Sequence, residues 1–211
     1  MTIWPRTRPL FVGIAGGSGS GKTTLTKRVI GSFPTVSVAS IQHDSYYRNL
    51  PDLSYEERSQ ANFDHPNSLE TSLLAEHLQS LARGEAVEIP KYDFSNHLRL
   101  PDTIRVEDPA VVVVDGILVL AEPELRQLFD LRIYIDTDAD LRLARRVRRD
   151  TEERGRSCES VLDQWEAFVR PMHLEFVEPA KRYADLIIPE GHNDGAVETL
   201  RRTLQQFIDG A

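Results

Sequence analysis

The sequence predicts an α/β fold: a parallel five-stranded sheet with helices on both faces, plus an inserted β-hairpin. Three observations lead there. Five segments rich in β-branched and other apolar residues recur along the 211-residue chain, and four of them are nearly continuous apolar runs, the pattern of strands buried on both faces. The long segments between them carry apolar residues at helical spacing, so strand alternates with helix as the crossovers of a parallel sheet require. A glycine-rich loop, GGSGSGKT, joins the first strand segment to the first helical one.

Taken in order, residues 10–15 (LFVGIA) form the first strand, residues 22–32 the helix after the loop, and residues 36–41 the second strand. The rhythm then breaks, and residues 44–108 read as an insertion. It holds a helix over about 69–83, with Ser68 as its N-cap and Gly84 at the C′ position where a helix ends. Two extended pieces follow, 86–94 and 103–107, which pair as a hairpin. Alternation resumes with strands at 110–115 and 131–136, helices at 138–155 and 157–179, a strand at 186–189 and a helix at 194–208. No internal repeat or low-complexity tract interrupts this order, and residues 1–211 read as one domain.

Composition bounds what such a chain can do. A chain of this size buries roughly 70% of the surface its unfolded form exposes, enough for one core without staples. The tally of 25 basic and 33 acidic residues, net charge −8, argues against broad binding to nucleic acid or anionic membranes, so an anionic ligand must meet a local basic site. Cys158 is the only cysteine, which rules out an intramolecular disulfide and a cysteine-based zinc site and fits a reducing, cytoplasmic setting. The apolar run nearest the N-terminus, 10–15, is too short for a signal-peptide core, and no stretch approaches the roughly 20 apolar residues of a membrane span.

The loop at 16–23 matches G-x-x-x-x-G-K-[ST], with Gly16, Gly21, Lys22 and Thr23 at the fixed positions and Gly17, Ser18, Gly19 and Ser20 between them. A strand feeds it and a helix leaves it, so backbone N–H groups and a helix N-terminus converge on phosphate oxygens. Lys22 is placed to bridge the β- and γ-phosphates of a nucleoside triphosphate, and the Thr23 hydroxyl to take one coordination site of Mg²⁺. The strand VVVVD delivers a carboxylate, Asp115, beside the first strand; a strand-end turn cap is the bland alternative.

A phosphate loop alone does not separate a kinase from a switch or a motor. Asp44 follows the second strand at the carboxyl edge of the sheet, where α/β ligands bind, and could accept a hydroxyl proton or merely form an Asx-turn with Ser45. Arg142, Arg145, Arg146, Arg148, Arg149, Arg154 and Arg156 crowd one helix and the turn after it; they are a solvated face or a lid that closes on phosphates, with Gly155 as its flexible point. Asp64 could cap the turn before Pro66. No N-K-x-D guanine-reading motif is present.

The stretches GGSGSGKTT (through Thr24), HDSYY, NFDHP, PKYDFSNH, VVVVDGIL, DTDADLRLARRVRRD, ERGR and YADLIIP together resemble the uridine kinase family, also called uridine-cytidine kinases. This is a branch of the phosphoribulokinase/uridine kinase family of P-loop kinases, and the resemblance runs from the loop almost to the C-terminus. It implies a P-loop NTPase fold with an acceptor-binding insertion at about 44–108 and an arginine-rich lid at about 142–160. It also implies Mg²⁺, ATP or GTP as donor, 5′-phosphorylation of uridine and cytidine in pyrimidine salvage, inhibition by CTP and UTP, and a homotetramer. Carried over by position, it makes Asp44 the base at the 5′-hydroxyl with Tyr47 beside it, and puts Asp64 on the ribose diol. Phe63, Tyr92 and Phe94 would line the base pocket and His97 read the base edge, although such aromatics are otherwise core and such a histidine otherwise structural. Arg146, Arg156 and Gln164 fall on the acceptor side, Arg149 and Arg154 on the phosphates. Asp115 stands where many members have glutamate, so contact with Mg²⁺ through water is expected there. A kinase for ribulose 5-phosphate or pantothenate, and a slowly hydrolysing switch, are the rival readings.

Overall fold

The computed structural model describes residues 8–34, 37–190 and 193–209. Strand β1 (Leu10–Gly16) pairs on both edges with other strands, as its apolar run requires. The order is β2-β5-β1-β6-β7, with β2 (Val38–Gln42), β5 (Val111–Asp115), β6 (Leu131–Asp136) and β7 (Leu186–Pro189) all parallel. Successive side chains point to opposite faces. Phe11, Ala15, Val112, Val114 and Tyr134 enter one core, while Val12, Ile14, Val111, Val113, Ile133 and Ile135 enter the other.

The helices are α1 (Lys22–Ile30), a short α2 (Tyr55–Ser59), α3 (Thr71–Ala82), a short α4 (Pro123–Arg126), α5 (Ala139–Glu153), α6 (Cys158–Gln164) and a last helix, Asp194–Asp209. α1 and the last helix cover one face of the sheet through Leu25, Val29, Val197, Leu200 and Leu204. On the other face α3 presents Leu74, Ala75, Leu78 and Leu81, four residues at helical spacing. The expected layers are thus present, and most bounds agree with the sequence reading to within two residues.

Three expectations need correction. Ser68 does not cap α3. Its hydroxyl donates instead to the carbonyls of Phe63 (3.0 Å) and His65 (2.7 Å), closing the 3₁₀ turn Pro66–Ser68, and Glu70 is the residue before the helix. A serine has local carbonyls to satisfy as readily as a helix end. The second hairpin strand, β4 (Leu98–Val106), begins five residues earlier than the expected 103, pairing antiparallel with β3 (Val87–Asp93). Pro101 falls where the register shifts between Pro90 and Tyr92, and proline is tolerated at such an irregularity. The helix expected over 157–179 is continuous but not uniform: α6 runs on through π-helical turns at Trp165–Val169 and His173–Val177. Each lies just before a proline-containing turn, Arg170–Met172 and Glu178–Ala180. Proline lacks the N–H and crowds the preceding turn, and a widened turn relieves both.

Gly84 takes φ +77° after α3, as a C′ residue should. Val36, expected to open the second strand, lies outside the described residues. Among the described residues no helix is long and apolar enough to cross a membrane. The loop after β1, the turn after β2 and the end of β5 all emerge at the carboxyl edge of the sheet, on either side of the point where strand order reverses.

Candidate active site

The phosphate loop is shaped by what it packs against. Gly19 has φ +79°, and a Cβ there would lie 2.3 Å from the carbonyl oxygen of Arg142, so α5 presses its backbone onto the loop. Arg142 Nε donates to the Thr137 carbonyl (3.0 Å), and the Thr137 hydroxyl donates to the Ser20 carbonyl (3.1 Å), tying the start of α5 to the loop. Lys22 Nζ donates to the carbonyls of Gly16 (2.8 Å) and Gly17 (3.0 Å), which holds the ammonium inside the loop's curve. Burial lowers its pKa to about 8, against the pull of the Asp44 and Asp115 carboxylates. Thr23 lies in the first turn of α1 beside the loop, and Thr24 is exposed on that turn.

Asp115 ends β5 almost fully buried, and its Oδ2 has no hydrogen-bond partner. Burial raises its pKa to about 6, while Lys22 and the Thr23 and Thr26 hydroxyls pull it back. Asp44 lies in the 3₁₀ turn His43–Tyr46 that follows β2. Its Oδ1 is buried with no hydrogen-bond partner, so the Asx-turn alternative does not account for it. One lysine therefore faces two carboxylates, one from each strand end.

Beside them opens a cleft with a cavity volume of about 70 Å³. Asp44, Tyr47 and Asp64 line it together with Arg146, Arg149, Arg154, Arg156 and Gln164. Phe63, Tyr92, Phe94 and His97 complete it, together with Ser18 from the loop. Every acceptor-side residue singled out from the sequence lines this one cleft. Ile117, two residues beyond Asp115, also lines it and was not anticipated; a short apolar residue after a strand gives no signal of its own.

Local hydrogen bonds explain why these side chains are available. Asn62 Oδ1 accepts from Asp64 N (3.2 Å) and His65 Nδ1 accepts from Asn67 N (3.0 Å), so the turn before Pro66 is capped without the Asp64 carboxylate. Burial raises the Asp64 pKa and Arg146 opposes that shift. Phe63 packs its face on His97, with centroids 4.9 Å apart and planes at 15°, and meets Tyr47 in a T-shaped contact with centroids 5.1 Å apart. Tyr92 continues the row between Tyr47 and Phe94. His97 has φ +55° in the hairpin turn, a conformation that costs a non-glycine residue roughly 1–2 kcal/mol. Burial lowers its pKa, reinforced by Arg156 and Arg154, so the imidazole is neutral at pH 7.

The arginines converge on one carboxylate that the sequence reading passed over. Asp150 is 0% exposed, and Arg146, Arg149, Arg154 and Arg156 lie 3.5, 2.8, 3.6 and 4.0 Å from it. Its place at the end of an arginine run, RRVRRD, was the available signal. Arg146 also donates to Ser18 Oγ (2.7 Å), joining this cluster to the phosphate loop. Gln164 Oε1 accepts from both Arg146 and Arg156, so the glutamine orients guanidinium groups as well as lining the cleft. Arg154 lies over the Phe94 ring, 4.9 Å from its centroid.

The family model described as Phosphoribulokinase / Uridine kinase family matches residues 11–196. The chain belongs to that family. As a member it is a kinase, a phosphotransferase with an alcohol acceptor. It is 47% identical over 202 residues to the uridine kinase of Clostridium perfringens (strain 13 / Type A), covering 95% of this chain and 97% of that protein. It is 48% identical over 203 residues to the uridine kinase of Macrococcus caseolyticus (strain JCSC5402), covering 96% and 98%. The structure of phosphoribulokinase from Rhodobacter spheroides superposes with a TM-score of 0.63 at 14% identity, over 89% of this chain and 74% of that one, a likeness of fold alone.

Proposed function

We propose that the chain transfers the γ-phosphoryl group of ATP or GTP to the 5′-hydroxyl of uridine and cytidine, giving UMP and CMP. One observation carries this reading: a single cleft beside the phosphate loop holds an unpartnered carboxylate oxygen on Asp44, a second buried carboxylate on Asp64, and the stacked pair Phe63 and His97. The likeness to two proteins named uridine kinase supports it.

The chemistry assigned to each residue follows from its group. Asp44 accepts the proton of the attacking hydroxyl, and Asp64, with two acceptor oxygens, takes the 2′- and 3′-hydroxyls of the ribose. A neutral imidazole has one donor and one acceptor nitrogen, so His97 can satisfy the 4-carbonyl of uracil or the 4-amino group of cytosine by exchanging tautomers. Lys22, Arg149 and Arg154 face the charge on the moving phosphoryl group, with little covalent chemistry left to the protein. Thr23 and Asp115 are the groups fitted to hold Mg²⁺, because a buried oxygen without a partner stands there beside a hydroxyl. No cluster of three or more His, Cys, Asp or Glu is found among the described residues. When bound, Mg²⁺ neutralises charge on the β- and γ-phosphate oxygens.

The same reading carries one domain over 1–211, with 44–108 serving the acceptor and 142–160 closing as a lid. It also carries a homotetramer, inhibition by CTP and UTP, and a cytoplasmic place in pyrimidine salvage. A coupled kinase assay with ATP and GTP against uridine, cytidine, adenosine and ribulose 5-phosphate tests it. Turnover of both pyrimidine nucleosides, with kcat/KM values within about tenfold, is expected. Preference for ribulose 5-phosphate, or strict selectivity for one pyrimidine, would contradict the acceptor or the His97 assignment respectively.

A further inference from the structure

We infer that Asp150 is the positioning residue of the phosphoryl-transfer site: a buried counter-charge that sets the directions of the arginines facing the moving phosphoryl group. The inference rests on the reading of the cleft as a kinase site. Asp150 is 0% exposed, yet the surrounding arginines hold its pKa below the usual carboxylate range although burial pushes it up. Its Oδ1 accepts from Arg149 Nε and lies 2.8 Å from Arg149 Nη2, a forked contact that fixes the guanidinium plane. Arg154 Nη1 stands 3.6 Å from the same oxygen.

Main chain and side chain act together. The Asp150 carbonyl accepts from Arg156 N (3.1 Å), folding the chain back after α5, and Gly155 makes the reversal at φ +65°. Arg154 and Arg156, on either side of that glycine, are thereby returned to the carboxylate that Arg149, one residue before it, also contacts. Four guanidinium groups around one carboxylate leave a net charge of about +3 directed at the cleft. On the other side Oδ2 has no hydrogen bond, and neither has Arg146 Nε, 3.5 Å away. A small rotation of the carboxylate closes that contact, so Asp150 can yield Arg149 to a phosphoryl oxygen without becoming an unpaired buried charge.

A positioning role differs from a structural one in where its loss is read. In the full chain, Asp150→Asn is expected to lower kcat about 10- to 100-fold while KM for uridine and for ATP stays within about threefold, since arginine alignment matters most in the transition state. The double variant Asp150→Asn with Arg149→Ala is expected to fall no more than about threefold below the worse single variant, because both changes disable one unit. Asp150→Glu keeps the charge but moves it by one methylene; it is expected to fold and to lose about tenfold or more in kcat, as a 1 Å misplacement can. Wild-type turnover of uridine tests the site reading by itself, and if another alcohol proves to be the acceptor the same ratios measured with that alcohol decide Asp150. A kcat within threefold of wild type in either variant, a loss confined to KM, multiplicative losses in the double variant, or failure of both single variants to fold would overturn the assignment.

Discussion

Lys22, Asp44 and Asp115 stand in a nearly dry corner where each carboxylate offsets part of what burial does to the lysine. Asp115 ionises at about 6 in the folded chain against the ordinary 3.8. Between those values the folded chain binds the extra proton, so this group's contribution falls as pH rises through the window, and above it the full cost, on the order of 1–3 kcal/mol, persists. Asp115→Asn is therefore expected to stabilise the ligand-free chain at pH 7 and to do so less at pH 5, as measured by urea unfolding. A destabilised variant at pH 7, or a gain independent of pH, would contradict this. Asp44→Asn is expected to bind ATP as the wild type does while kcat drops about 10²- to 10⁴-fold, the usual contribution of a positioned base; retention of more than a tenth of kcat removes Asp44 from that role. At Asp64 the asymmetry of a buried carboxylate gives a substrate prediction. With the 2′-hydroxyl missing, part of the site is left unpaired, so kcat/KM for 2′-deoxyuridine should fall well below that for uridine, and equal values would refute the diol assignment.

At the level of elements, regular alternation was easy to read and irregularity was not. β5 is buried on both faces and announced itself as VVVVD, whereas β4 is largely exposed and contains Pro101, so neither alternation nor composition marked its first half. Ser68 carried the residue type of a helix cap, but the Pro66–Ser68 turn claimed its hydroxyl. The π turns in the continuation of α6 were foreshadowed only by Pro171 and Pro179, which a sequence pattern cannot separate from a kink or a break. The turn after α5 yields a paired test. Gly155 and Gly84 both have positive φ, and an added Cβ meets nothing within 4 Å at either. Alanine at each should cost roughly 1–2 kcal/mol of stability through the backbone alone. Only Gly155→Ala should also lower kcat, because it disturbs the reversal that returns Arg154 and Arg156 to Asp150. Equal kinetics in the two variants would show that this turn does not set the arginines.

On the scale of the molecule, a chain of net charge −8 gathers Arg146, Arg149, Arg154 and Arg156 around one cleft, so its positive charge is concentrated there. The sheet and the phosphate loop were legible because both-face burial and a fixed glycine-lysine spacing leave direct marks in sequence. On the acceptor side Asp44 was marked by its place at the carboxyl edge of the sheet, whereas the roles of Asp64 and His97 were legible only through family likeness, since they come from separate turns that share no local pattern. Asp150 as a hub and the approach of the Arg142 carbonyl to Gly19 arise from packing between distant segments, which no local window contains. The most direct measurement of the central claim uses purified chain, Mg²⁺ and ATP labelled in the γ-phosphoryl group, with and without uridine, and identifies the labelled product. Label in uridine 5′-monophosphate, formed only when uridine is present, is expected. Release of the label as orthophosphate at a rate that uridine does not change would contradict it.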